Sequence, residues 1–360
     1  MITIFTPSFA DEANTNAQNL TVKEIVARLP SEQFRVIMIR DGIPDPRIAA
    51  RKNTELLRWR RHGNTVRLLA RCLSTAPDVY FFPREGPLDL WFITLRRKLR
   101  LRTALVTYVV ATVDRGASKA VARAIREGDT VVGNSRYVSQ TISQRFGVPA
   151  ETIHSGIDQR VFFPKAGNVQ PHPDSQLVVL YAGSFQARKR VHLVIREAAQ
   201  WPQVQFRLVG RGELEESCRS LANELGCQNV TFVGHLTPRQ LADEMRQADV
   251  FLFPSIIEGH PQVLGQAAAC GLPCIATNVY HPDYVVNGKT GFLVESDEEL
   301  TQKLDLLLRD STLRQSMSVA AVQHAREFDW DRITGQWQQV FQTATQERQR
   351  RLHVRDIRHL

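Results

Sequence analysis

The sequence predicts an α/β protein built from two parallel sheets, each covered by helices on both faces. Three observations carry that expectation. Short apolar, β-branched runs alternate with stretches of helical spacing along the chain. The alternation breaks once, at AGNVQPHPDSQ (residues 166–176), a Pro-, Gly- and polar-rich stretch of linker composition, and then restarts. At 360 residues the chain is long enough for two cores. The expected division is residues 1–164, then 165–329.

The elements of the first half follow in order. Residues 1–9, MITIFTPSF, read as a strand, with neither a basic leader nor a small-residue cleavage site. The polar ADEANTNAQN leads to a helix over 20–29, where Leu20, Ile25, Val26 and Leu29 share helical spacing. Residues 34–39 are a second strand. The basic stretch 47–73 is expected to be helical, 78–82 a strand ended by Pro83, and 91–101 a second basic helix. Residues 104–111 and 130–133 are β-branched strands, and 137–146 a helix.

In the second half, 177–181, 205–209, 230–233, 250–253 and 274–277 read as strands, with 291–294 short and extended. Helices are expected over 191–199, 213–225, 240–247, 298–308 and 313–327. Parallel sheets place ligands at the carboxyl ends of their strands. The distinctive residues of this half fall there: Gly183 after the first strand, Gly210, Arg211 and Gly212 after the second, Gly234 and His235 after the third, Glu258 and Gly259 after the fourth.

Two of these loops suggest chemistry. In GSFQARKRVHLVI, Lys189 stands at the mouth of a helix between Arg188 and Arg190. Cations beside unpaired helix-start amides suit a diphosphate. In EGHPQVLGQAAACGLP, Gly259 and Pro261 shape a turn, a helix begins near Pro261 or Gln262, and Gly271 ends it ahead of Pro273. Glu258 and Gln266, eight apart, suggest two turns of one helix face. The GRGE loop lacks the third glycine and the acid of a dinucleotide fingerprint, so NAD is not expected.

Composition narrows the partners. The net charge of +9 is uneven: residues 35–102 hold 16 Arg or Lys against 6 Asp or Glu. Such a face attracts phosphates or acidic membrane surfaces. No nucleic-acid-binding module is visible, and nucleic acid is not expected. No apolar run approaches the ~20 residues of a membrane span. Five irregularly spaced cysteines are expected as reduced thiols, with no structural metal site, in a cytoplasmic protein.

Taken in succession, GSFQARKRVHLVI, FRLVGRGE, NVTFVGHL, ADVFLFPS, EGHPQVLGQAAACGLPCIAT and VVNGKTGFLV resemble the donor domain of the family-four retaining glycosyltransferases, which have two Rossmann-like domains facing a cleft, the GT-B fold. The first half resembles the family through VVGNSRYVSQTISQRFGVP and IDQRVFFP. EFDW at 327–330 resembles the point where the family's last helix crosses back, which implies a helix over about 330–360 packing on the first domain. The resemblance implies a nucleotide-diphosphate-sugar donor, an acceptor that is a glycan, a lipid-linked or a small molecule, and no metal or other cofactor. It places the phosphate-binding Lys on Lys189 and the catalytic-end Glu on Glu258. The companion Arg falls on Ser184, so Arg188 or Arg190 would substitute, and the ribose-binding Glu falls on Gln266. The backbone of Gly259, His260, Pro261 and Gln262 would face sugar and phosphates, with Gly234 and His235 by the base. Further departures are Asn16 and Ala17 in place of a glycine pair, no His near Tyr108 and Val109, and Val279, Tyr280 and Asp283 in a late loop. The alternatives are an epimerase or hydrolase of the same architecture, or a sugar-nucleotide-binding protein that has lost catalysis.

Overall fold

The structure is a computed structural model that describes residues 1–13, 17–60, 62–81, 86–110, 117–165 and 176–357. The expected linker over 166–175 and the strand end at Pro83 lie outside the described residues. The chain forms two compact units, Met1–Ser155 with Trp330–Leu360, and Gly156–Asp329.

The first unit carries seven parallel strands: β1 (Ile2–Phe9), β2 (Phe34–Arg40), β3 (Thr54–Arg58), β4 (Val79–Phe81), β5 (Ala104–Val109), β6 (Thr130–Gly133) and β7 (Glu151–Thr152). Their order is β3-β2-β1-β4-β5-β6-β7. The second unit carries six: β8 (Val178–Ala182), β9 (Gln205–Val209), β10 (Val230–Gly234), β11 (Val250–Phe253), β12 (Cys274–Thr277) and β13 (Gly291–Val294), in the order β10-β9-β8-β11-β12-β13. Both sheets are doubly wound. The chain runs outward in one direction, returns to the starting strand and continues on its other side. The reversal falls between β1 and β4 in the first sheet and between β8 and β11 in the second, where the loops diverge and leave a crevice.

Central strands are buried on both faces, which explains their unbroken apolar runs. Ala104–Val109 and Val250–Phe253 are buried at every position. Helices fill both sides. On one face of the first sheet lies the long helix Trp330–Ile357, whose Trp337 and Phe341 are fully buried. Trp337 meets Phe81 and Tyr108 at ring-centroid separations of 5.0 and 4.8 Å.

Two expectations need correction, and one element was missed. The stretch 47–73 is not one helical region: a short helix, Pro46–Ala49, is followed by edge strand β3 and only then by the helix Asn64–Thr75. Hydrogen-bonded pairing of Thr54–Arg58 along β2 outweighs the helical tendency of Glu55, Leu56 and Leu57. The unit boundary also lies before residues 157–164. Ile157 and Phe162 are buried in the second unit's core, and the Ile157 N–H donates to the Phe328 carbonyl at 2.7 Å. A helix over Lys119–Glu127, unread in the sequence, packs Ala124 and Ile125 inward. All five cysteines are free thiols, and among the described residues no helix is long and apolar enough to cross a membrane.

Candidate functional site

The site grows from the crevice between β8 and β11. Beyond β8 the chain passes Gly183, Ser184 and Phe185, makes a 3-10 turn over Ala187–Lys189 and enters the helix Val191–Gln200. Beyond β11 it passes Pro254 and Ser255 to Glu258 and enters the helix Gln262–Ala269. Two backbone-directed contacts tie the loops together. The Ile256 N–H donates to the Arg188 carbonyl at 3.0 Å, and the Arg188 guanidinium donates to the Ile257 carbonyl at 2.9 Å.

The side chains then converge on one atom. The Lys189 ammonium lies 2.6 Å from Glu258 Oε1, the Arg188 Nη1 2.8 Å from it, and the Ser255 hydroxyl donates to it at 2.5 Å. Lys189 is buried, its Nζ 4.8 Å from the ring centre of Phe253. Arg188 is more open, with 37% of its side chain exposed, so it can move with an incoming anion. Thr277 anchors Ser255 by donating to its carbonyl. Burial lowers the Lys189 pKa; the attraction of Glu258 opposes this and the repulsion of Arg188 adds to it. The result is a partly desolvated cluster of two cations and one carboxylate at the mouth of a doubly wound sheet.

The other expected residues fall around it unequally. Arg190 does not join the cluster. Its backbone is left-handed, at φ 53°, and its side chain pairs with Asp297. Glu258 lies four residues ahead of the helix that starts at Gln262, so it and Gln266 are not two turns of one helix face. Gln266 is half-buried on that helix, and Gly259 and Gln262 are half-buried beside Pro261 at its start. His260 is buried, its ring 3.9 Å from Tyr284 between centroids, a packing role for the side chain. Ser184 receives the Tyr181 hydroxyl on its carbonyl at 3.1 Å.

The glycines of the β9 loop have a structural reason. A Cβ on Gly210 would stand 1.9 Å from the Gly183 carbonyl oxygen, and one on Gly212 would stand 2.4 Å from that of Phe185. Gly210 also has φ 132°, outside the range of ordinary side chains. These glycines bring two strand-end loops into backbone contact, sealed by Phe185 N–H to Arg211 O at 2.9 Å. Gly234 turns at φ 85° against the Arg211 guanidinium, and His235 beyond it is exposed. Sequence reasoning missed Ser255 and Phe253. Their signal was the end of ADVFLFPS, where a polar residue follows a buried strand.

Two Rossmann-like parallel sheets, with a charged cluster at the switch point of the second, define an α/β protein of the GT-B class. Residues 163–324 match the family model for glycosyl transferases group 1. Among curated proteins, the chain is 30% identical over 246 residues to the D-inositol 3-phosphate glycosyltransferase of Kribbella flavida, covering 62% of this chain and 58% of that one. It is 31% identical over 264 residues to the enzyme of the same name from Mycobacteroides abscessus, covering 67% of this chain and 59% of that one. The chain thus spans less than two thirds of either relative. Among solved structures, Anabaena Alr3699/HepE in complex with UDP superposes with a TM-score of 0.77 at 18% identity, over 95% of this chain and 100% of that one. At that identity the likeness shows the fold.

Proposed function

We propose that this chain is a glycosyltransferase that moves a sugar from a nucleotide-diphosphate sugar to an acceptor, a glycan, a lipid-linked or a small molecule. The reading includes retention of configuration at the sugar, no metal requirement and a cytoplasmic site of action. The observation that carries it is the convergence of Lys189 and Arg188 on Glu258 at the switch point of a sheet inside the group 1 match. The UDP held by the HepE structure and the names of the curated relatives support the donor class and the reaction.

The chemistry follows from charge. Breaking the sugar–phosphate bond puts negative charge on the β-phosphate. A lysine already partly desolvated stabilises that charge more than a solvated one would. An entering diphosphate competes with Glu258 for the same two cations, so donor binding and the position of the Glu258 carboxylate are coupled. Ser255, held by Thr277, keeps that carboxylate aimed while it faces the positive charge developing on the sugar. Gln266 would accept from the ribose hydroxyls through its amide oxygen, and Gly234 and His235 would border the base.

The first unit would hold the acceptor. Trp91 and Leu99 are exposed beside Arg97, Lys98 and Arg100, a surface suited to peripheral contact with an anionic membrane. Flotation with vesicles tests that contact: equal recovery with neutral and acidic lipid would exclude it. For the reaction, the experiment is a thermal-shift screen against UDP-, GDP-, ADP- and CDP-sugars, followed by incubation of the stabilising donor with candidate acceptors. Transfer is expected. Epimerised or freely hydrolysed sugar alone would favour the alternative enzymes, and no stabilisation by any donor would sink the proposal.

A further inference from the structure

The helix Val191–Gln200, which leaves the Lys189 loop, carries a carboxyl that faces inward. Glu197 is 5% exposed. Its Oε1 lies 2.5 Å from the hydroxyl of Thr301, on the helix Asp297–Arg309. Its Oε2 is buried without a hydrogen-bond partner. A carboxylate oxygen left bare in that place would bear the full desolvation cost of a charge.

Thr301 does not relieve it. The same hydroxyl stands 3.2 Å from the Asp297 carbonyl, four residues back, the acceptor that a threonine inside a helix commonly takes. One hydroxyl proton therefore faces two acceptors. The set closes when Glu197 brings a second proton. Glu197 Oε1–H then donates to Thr301 Oγ1, and Thr301 donates to the Asp297 carbonyl. Oε2 becomes the carbonyl oxygen of a neutral acid, which is far less costly to bury than half of a carboxylate.

The surrounding charges leave Glu197 without a cation. On its own helix, His192 and Arg196 are exposed, and Arg190 at the helix start pairs with Asp297. From the helix Glu215–Glu224, Arg219 turns to Glu215, and from β9, Arg207 turns to Glu244. The Cys227 thiol meets the Ile195 carbonyl, and Lys303 of the helix Asp297–Arg309 lies over the Phe292 ring. Among the described residues, the charge that acts on Glu197 is the like charge of Asp297. Burial raises the Glu197 pKa above the ordinary 4.5, the Thr301 contact opposes this, and Asp297 adds to it.

We propose that Glu197 is a proton-dependent latch. Protonated, it fastens the helix that leaves the Lys189 loop to the helix Asp297–Arg309; ionised, it sets its charge against Asp297. The same seam is joined again by Arg190 on Asp297, so losing the proton loads the residue next to Lys189. The latch does not depend on what the Lys189 site binds, and its test uses no nucleotide.

The test follows the side-chain carboxyl carbon of Glu197 by NMR against pH, on the full chain with isotope-labelled glutamate. Loss of one signal in Glu197→Gln assigns it, and Glu197→Asp serves if the first variant does not fold. The midpoint is expected above the ordinary 4.5. Thermal unfolding is the second readout. A raised folded-state pKa contributes stability that is full below the unfolded-state pKa and is lost as pH rises through the folded one. Glu197→Gln keeps an uncharged donor for Thr301 and cannot ionise. Its melting temperature relative to wild type should therefore rise between about pH 4 and about pH 8, by at least about 2 °C. A Glu197 midpoint at or below 4.5, or a difference between variant and wild type that is the same at both ends of that range, would each overturn the proposal.

Discussion

Between β8 and β11, a lysine and a glutamate meet at 2.6 Å, with an arginine and a serine on the same carboxylate oxygen. Between β1 and β4, the corresponding place in the first sheet, the buried carboxylate is Asp89, held by a tyrosine hydroxyl and a backbone amide beside an apolar cavity. The strand order around the two points is the same. Topology therefore makes the crevice, and the side chains at the strand ends decide what enters it. A carboxylate offset by cations leaves a site whose cations an anion can recruit. A carboxylate that accepts from a buried tyrosine hydroxyl and a backbone amide is a fixed part of a wall.

The largest effect is expected where a cation is lost from the second crevice. Lys189→Ala removes the most buried charge facing the proposed leaving phosphate. Loss of one such preorganised donor lowers turnover by about 10²–10³. Steady-state transfer with the donor found by thermal shift reads this directly. Turnover at the wild-type rate would remove Lys189 from the chemistry.

The first crevice should respond in stability instead. Tyr80→Phe takes a hydroxyl from a fully buried pair and leaves Asp89 short of a donor, at a cost of about 1–3 kcal/mol. Urea unfolding measures the loss, and nucleoside diphosphate affinity should stay at the wild-type value. A drop in that affinity, with stability intact, would show that the two crevices do not divide their roles in this way.

The same contrast explains what could be read in the sequence. The interior strands were legible because burial on both faces demands continuous β-branched runs, bounded here by Gly and Pro. Edge strand β3 was not, since Thr54–Arg58 is only partly buried and its Glu-Leu-Leu core favours a helix as readily. The charged residues at strand ends stood out individually. Their convergence did not, because Arg188 and Glu258 are 70 residues apart and meet only once β11 pairs with β8 rather than with β10. Arg190 looked equivalent to Arg188 until a left-handed backbone turned it toward Asp297. The glycines of GRGE suggested a ligand loop, yet at Gly210 and Gly212 the closest neighbour is another backbone. The first crevice left no motif, because its wall is ordinary apolar residues drawn from separate elements.

A smaller effect should appear with pH. Burial holds the Lys189 pKa below the ordinary lysine value of 10.5, and the proposed diphosphate contact needs the protonated form. Affinity for a nucleoside diphosphate should therefore be full at neutral pH and fall on the alkaline side before an ordinary lysine would titrate. Lys189→Arg, protonated throughout, should flatten that limb. An identical alkaline limb in the variant would assign the titration to another group.

The smallest expected change sharpens the second crevice from within. Glu258 meets cations, whereas Gln266, half-buried on the helix that follows, brings a neutral amide to the proposed ribose. A carboxylate in its place would accept a hydroxyl through a charge-assisted bond, stronger than a neutral one by about 1 kcal/mol, or about fivefold in affinity. Gln266→Glu should thus tighten binding of a nucleoside diphosphate by that factor, and the gain should vanish for a nucleotide whose ribose hydroxyls are absent. Equal gains for both nucleotides would mean that the new charge acts through the field of the site rather than on the ribose. Weaker binding of both would place residue 266 nearer the phosphates, where a second carboxylate would compete with the diphosphate for Lys189 and Arg188.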